Sequence, residues 1–237
     1  MLAAHARLRL DAWAPSASDL RQGAAALEVA RALGLPLLAS NLAAADGGEL
    51  PVARHLVREV GGVRVGLLGL VGGQVQGARV EAPAEAVRRE LAALRGRVEL
   101  VVCLSNLGIE ADAALAAEVE GIHFILGAGD DRMILRPRRV GDTYLLQPYK
   151  KGEYLGLLRL DLRTPPGRFA DELELDDLGR KLSVAPPAEA AGLRARLEEL
   201  GGRSRFRAVL RPLPEDEPED PELRDAVARQ LAQEAGL

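Results

Sequence analysis

The run VVCLSNLGIEADAALAAEVEGIHFILGAGDD, residues 101–131, decides the fold. It begins inside an apolar stretch, 98–104, broken only by Glu99. Such a stretch reads as a strand buried on both faces. Residues 111–119 carry a helical pattern, and 122–126 form a second short apolar strand. Strand, helix and strand in succession make a βαβ unit, which places two parallel strands in one sheet.

Working outward, the segment before this unit adds further elements. Pro83 opens a helix through Leu94, with Ala86, Val87, Glu90, Leu91 and Leu94 at helical spacing. Residues 54–60 and 63–70 flank Gly61-Gly62 and predict a β-hairpin. Asp46-Gly47-Gly48 is a turn. Residues 35–40 form an apolar strand that stops at Asn41. Asp19 is placed to cap a helix running to Leu33, ended by Gly34. Residues 7–13 are a strand candidate, followed by a loop through Pro15, Ser16 and Ser18. Beyond Asp131 the pattern changes to short-linked strands at 133–139, 143–147 and 154–162, expected to be antiparallel. An amphipathic helix follows at 188–200. The acidic, Pro-rich segment 212–221 and a terminal helix at 222–235 complete the chain. The expected partition is a main domain over 1–183, a helix and connection over 184–211, and a linker with its helix over 212–237. No repeat of 20–50 residues is visible.

Composition narrows the function classes. The chain has 237 residues, 48% hydrophobic and 28% charged, as a globular protein does. Its single cysteine excludes an internal disulfide and any thiol-based zinc or iron–sulfur framework. A net charge of −4 argues against a coat for nucleic acid. All but three of the 31 basic side chains are arginine, which with abundant alanine suits a GC-rich genome. No apolar run reaches the roughly 18 residues of a membrane span. The first ten residues hold His5, Arg7 and Arg9 and lack a signal-peptide core. If Met1 is the true start, the expected compartment is the cytoplasm.

Sites in open α/β sheets form at the carboxyl ends of the strands. Three such exits carry polar residues: Asn41, the run Ser105-Asn106-Leu107-Gly108, and the run Gly127-Ala128-Gly129-Asp130-Asp131. Asn and Asp offer oxygens suited to Mg²⁺, Ca²⁺ or Mn²⁺. The same residues also cap loops with no ligand at all. Cys103 reads as a small core hydrophobe and His123 as a core or strand-edge side chain, while His55 lies in the hairpin and His5 at the terminus. Residues 69–73, GLVGG, lack a dinucleotide or P-loop spacing and read as a turn. Lys150-Lys151 reads as a solvated turn with some attraction for phosphate.

Taken together, these residues resemble the metallophosphoesterase domain of 5′-nucleotidases. In that family a strand ends in Ser-His-Leu-Gly, a helix with Asp and Leu-Ala follows, then Gly-Ile-Asp, a second strand and Gly-His-x-His or Gly-His-x-Gln. Here the corresponding run is 101–131. Residues 37–42 (LLASNL), 63–71 (VRVGLLGLV) and 144–160 (YLLQPYKKGEYLGLLRL) are similar to further family segments. The resemblance covers about residues 7–162. It implies a layered α/β sandwich with mixed, partly parallel sheets flanked by helices.

The family's chemistry is two-metal phosphoester hydrolysis, in which paired cations bind phosphate and activate a bridging water. This chain departs at the ligand positions. Asn106 stands for the His of Ser-His-Leu-Gly, and Ala128 and Asp130 stand for the Gly-His-x-His pair. PSASD at residues 15–19 stands where Gly-Asn-His-Glu is expected. The family's first strand, with Asp-x-His, has no counterpart before Arg7. What the resemblance leaves is a vestigial set, Asn106, Asp130 and Asp131, able to hold at most one divalent cation (Mn, Mg or Ca) weakly, with Asn41 as a substrate contact.

Three functions are therefore expected in competition. One is a degenerate, non-catalytic domain acting in binding or assembly. Another is a metal-dependent phosphoester hydrolase with a reduced oxygen-only site. The third is a fragment of a longer exported protein, periplasmic or in the cell envelope. A missing first strand leaves ladder groups unpaired, so self-association or an auxiliary subunit is expected to cover the sheet edge.

Overall fold

The computed structural model describes residues 2–149, 152–163, 167–214, 218 and 220–234. Lys150 and Lys151 lie outside the described residues. In chain order the elements are α1 (Leu2–Arg7), α2 (Ala25–Ala32), β1 (Leu42–Ala44), β2 (His55–Val60), β3 (Val63–Leu70), β4 (Ala78–Val80), α3 (Pro83–Leu94), β5 (Leu100–Ser105) and α4 (Ile109–Glu118). They continue as β6 (Phe124–Gly127), β7 (Arg138–Val140), β8 (Thr143–Leu146), β9 (Tyr154–Asp161), β10 (Phe169–Asp171), α5 (Glu172–Val184), α6 (Pro187–Gly201), β11 (Ser204–Pro212) and α7 (Pro221–Glu234).

The main sheet has six strands in the order β2-β3-β5-β6-β8-β7. Its centre, β3-β5-β6-β8, is parallel throughout. The β2–β3 hairpin closes one edge and antiparallel β7 the other. Alternate side chains of the central strands go to opposite faces. Leu68, Leu70, Val101, Cys103 and Ile125 meet α3 and α4 through Val87, Leu94, Leu115 and Ala116. On the other face Leu100, Val102, Phe124 and Tyr144 meet Phe169 and Phe206 of a second sheet. That sheet has the order β10-β11-β9, with β10 parallel and β9 antiparallel to β11. The result is a layered sandwich of helices, mixed sheet and second sheet. Four aromatic rings join the two sheets: Phe124 lies edge-on to Phe169 at 4.9 Å and to Phe206 at 5.1 Å, and Tyr144 meets Phe206 at 4.5 Å. Burying a ring of this size stabilises by about 1.5–3 kcal/mol, so this contact is a main tie between the layers.

The structure corrects several local expectations. Residues 7–13 are not a strand: the segment begins as α1, and Trp13 makes one isolated parallel bridge to Leu37. The helix expected from Asp19 starts at Ala25 instead. Asp19 closes a turn by accepting hydrogen bonds from the Ser16 amide (2.8 Å) and hydroxyl (2.7 Å). Gly23, at φ +77°, interrupts the helical path there. The strand expected at 35–40 is reduced to bridges at Leu37 and Leu38, and the regular strand is β1, paired with β4. Of the strand expected at 133–139, only Arg138–Val140 is extended and paired. β8 pairs antiparallel with β7 as expected, but it also runs parallel to β6, and β9 joins the second sheet rather than continuing the meander. The boundary drawn at 183/184 falls within α5, and β11 pairs along the whole of β9. No helix among the described residues is long and apolar enough to cross a membrane.

Candidate functional site at the strand exits

β3, β5, β6 and β8 all end on the same side of the sheet, which brings residues 71–73, 105–108, 127–132 and 147 together. Their backbones are packed against one another through glycine. A Cβ on Gly72 would lie 2.4 Å from the Asn106 carbonyl oxygen, and one on Gly129 would lie 2.5 Å from the same atom. Gly129 also holds φ +96°, a conformation that side chains rarely adopt. The Asn106 carbonyl is thus enclosed between two glycines.

Asn106 faces the amino-terminal segment. Its side-chain amide donates to the carbonyls of Ala14 (3.1 Å) and Pro15 (3.3 Å), and its backbone amide donates to Leu70 (2.9 Å). Pro15 is buried over this point. The side chain therefore presents its donor end to the loop through Pro15.

Asp130 is a hub. One carboxylate oxygen, Oδ2, accepts from the Ile109 amide at the start of α4 (2.9 Å) and from Arg132 Nη2 (3.2 Å). The other, Oδ1, accepts from the Arg132 amide (3.0 Å) and Gln147 Nε2 (2.8 Å). Burial works against the charge, but the Ile109 and Arg132 amides, Gln147 and the Arg132 guanidinium outweigh it, lowering the Asp130 pKa to about 2. The carboxylate is a cap for α4, supplied from a distant loop. Asp131 is exposed on that same loop.

Beneath them lies a second carboxyl. Asp112, on α4, accepts a 2.5 Å hydrogen bond from the Ser105 hydroxyl, and that hydroxyl oxygen accepts from the Leu107 amide at 3.2 Å. Burial raises the Asp112 pKa to about 6; the Ser105 bond opposes the rise and the Asp130 charge adds to it. Sequence reading passed over Asp112. Its signal was its place on the apolar stripe of α4 beside Ile109, Ala113 and Ala116, at helical spacing. Gln147, also missed, is buried and joins β8 to the Asp130 loop.

Asn41 lies behind the exit of β3. It is fully buried, and its amide clamps Val71, donating to that residue's carbonyl (3.0 Å) and accepting from its amide (2.9 Å). These bonds make Asn41 a brace at the exit of β3. Of the expected set, Asn106, Asp130 and Asp131 come to the same exits, and Asn41 is buried against Val71 at the exit of β3. His5, His55 and His123 have other partners: His5 stacks on Trp13, His55 bonds Glu90, and His123 Nδ1 accepts from the Val101 amide. Cys103 is buried in β5, and burial pushes its thiol pKa far up.

The donor set does not suit a two-cation centre. Among the described residues no three His, Cys, Asp or Glu side chains cluster as a cation would require. Asp130 already receives four donors, one of them a guanidinium. The residues present do not fit the paired cations that the family's chemistry needs.

Neither a protein-family model nor a curated protein matches the chain. Solved structures do. A 5′-nucleotidase precursor from Thermus thermophilus superposes over 98% of this chain and 45% of its own, at 20% identity and TM-score 0.69. The Thermus thermophilus sulfate thiohydrolase SoxB gives 97% and 39%, at 20% identity and TM-score 0.69. The calcineurin-like phosphoesterase YfkN from Bacillus subtilis gives 98% and 72%, at 14% identity and TM-score 0.67. The fold is that of the 5′-nucleotidase-like metallophosphoesterases, and the chain spans less than half the length of the first two of these structures.

Proposed function

We propose that this chain is a degenerate metallophosphoesterase-like module that acts in binding or assembly and does not hydrolyse phosphoesters. The observation that carries this reading is the occupation of Asp130: the carboxylate at a family ligand position is bound by two backbone amides, Gln147 and Arg132. Asn106, at the other, turns its amide toward the Ala14 and Pro15 carbonyls. Ala128 contributes no donor atom. In this reading a covering partner, a second copy or an auxiliary subunit, lies against a sheet edge, and light scattering at micromolar concentration tests it. A cleanly monomeric particle would count against such a partner.

The activity test uses the purified chain with Mn²⁺, Mg²⁺ and Ca²⁺ in calorimetry, then a screen of nucleotides and a generic phosphate monoester. The expected result is neither stoichiometric cation binding nor metal-dependent turnover. Turnover that needs a divalent cation and disappears in Asp130→Ala would instead establish the reduced oxygen site of Asn106, Asp130 and Asp131.

A second reading is favoured by the short span against the structural neighbours: the chain is one part of a longer exported protein. Coding DNA on both sides of the chain decides it. An in-frame segment carrying Asp-x-His upstream supports this reading, and close stop codons on both sides remove it.

A further inference from the structure

The Gln147 side chain can be oriented without ambiguity. Its nitrogen end meets two acceptors, Asp130 Oδ1 at 2.8 Å and the Arg132 carbonyl at 2.6 Å, so the NH₂ must lie there. Its oxygen, Oε1, then faces the opposite way, buried and with no hydrogen-bond partner. A buried acceptor left this way is costly and rare. Opposite it stands Asp112 Oδ2. Both atoms flank one point, the place a Cβ would take on Gly127, at 2.8 Å for Gln147 Oε1 and 3.0 Å for Asp112 Oδ2. Gln147 Oε1 is sealed from solvent, and the notch is open only because residue 127 has no side chain. Each oxygen lies within 3.0 Å of that one point, so the two border a single notch.

We infer that Asp112 is held as the neutral acid and that its proton, directed to Gln147 Oε1, latches α4 to the exit of β8. The network then closes without an orphan. Ser105 donates to Asp112, Asp112 donates to Gln147, Gln147 donates to Asp130, and Asp130 caps α4. The groups facing Asp112 are Ser105 and the buried Cys103 thiol on β5, Gln147 beyond β8, and the ionised Asp130 on the loop after β6. Glu110, on the same helix, is turned outward to Arg132 and Arg138. No cation among these groups faces Asp112 directly; Arg132 acts on it through Asp130. The upward displacement of the Asp112 pKa by burial agrees with this geometry.

The direction with pH follows. The folded-state pKa, about 6, lies above the ordinary 3.8, so folding takes up the proton. The contribution is complete below about pH 3.8 and is lost as pH rises past about 6. Asp112→Asn reproduces the neutral acid, with an oxygen for Ser105 and an NH₂ for Gln147, and cannot titrate. The test is the Tm of the full chain and of Asp112→Asn from pH 5 to pH 8. We expect the variant's advantage over the parent to grow from pH 5 to pH 8 and to reach several degrees. The ¹³C carboxyl resonance of Asp112 should titrate near pH 6. A carboxyl already ionised at pH 5, or a variant less stable than the parent at every pH, would overturn the inference. So would Mg²⁺ or Mn²⁺ raising the Tm of the parent but not of Asp112→Asn, since a cation would then occupy the gap.

Discussion

Two regions of the sheet's exit side bury carboxylates, and they neutralise them by opposite means. Around β5, β6 and β8, Asp130 is met by amides, Gln147 and a single guanidinium, while Asp112 is met by the Ser105 hydroxyl. Around α3, neutralisation is by charge. Buried Glu90 bonds His55 (2.8 Å) and Arg89 (2.8 Å), and Arg89 reaches on to Glu81 (2.9 Å) and the Ser40 carbonyl (2.7 Å). Arg54 and Arg79 also pair with Glu81. Burial opposes the Glu81 charge, yet Arg89, Arg54 and Arg79 together hold its carboxyl below the usual range. The difference is one of geometry: fixed backbone donors suit a tight loop cluster, whereas long guanidinium stems reach across a helix flank.

The largest expected effect breaks the first region by shape alone. Gly129→Ala adds a Cβ against the Asn106 carbonyl in a strained φ, and should cost on the order of 3 kcal/mol or more in urea unfolding. Gly96→Ala, at a positive φ in open space, should cost only about 1 kcal/mol. Equal losses would show that the packed loops relax freely.

Next comes the second region. Arg89→Met leaves Glu90 with His55 alone and should cost about 2–3 kcal/mol; the half-exposed arginine keeps the loss below that of a fully buried pair. Because this network rests on charge, the loss should shrink at high salt. A salt-independent loss would mean that arginine acts through packing.

Asp130→Ala sharpens the contrast through pH. The folded pKa of Asp130, about 2, lies below the ordinary 3.8, so its contribution is present above about pH 3.8 and disappears as pH falls through 2. The variant should lose about 2 kcal/mol at neutral pH and little in strong acid. This slope is opposite to that expected of Asp112, so a pair of unfolding curves across pH separates the two carboxyls. A constant loss at every pH would assign Asp130 a role that its charge does not explain.

The smallest effect is at Asn106. Replacing it by alanine removes the amide ties to Ala14 and Pro15, for about 1 kcal/mol. Limited proteolysis should then cut the amino-terminal segment faster without loosening the β3–β5 centre. Unchanged cleavage would show that Pro15 is held by packing alone.

How much of this was legible depends on the range of the contacts involved. The hairpin of β2 and β3, helix α3 and the β5-α4-β6 unit stand close to where periodicity put them, because short-range pattern and turn chemistry specify them. Helix α5 and strands β10 and β11 were not read, and β8, antiparallel to β7 as expected, was not read as a parallel neighbour of β6. β8 pairs with β6 across a connection without helical period, and β11 finds β9 from more than forty residues away. Asp130 was legible as a polar strand exit but not as the cap of α4, since the cap and the helix lie 21 residues apart.

Residue type and spacing alone therefore determined the parallel centre and the side on which the exits gather. Only the tertiary structure decided what those exits do. It turned Asn106 toward Pro15, spent Asp130 on amides and Arg132, sealed Asn41 against Val71, and set Asp112 opposite an acceptor with no donor. A side chain's chemistry follows from its own atoms, but its charge state and its free lone pairs depend on neighbours that the chain brings together only when it folds.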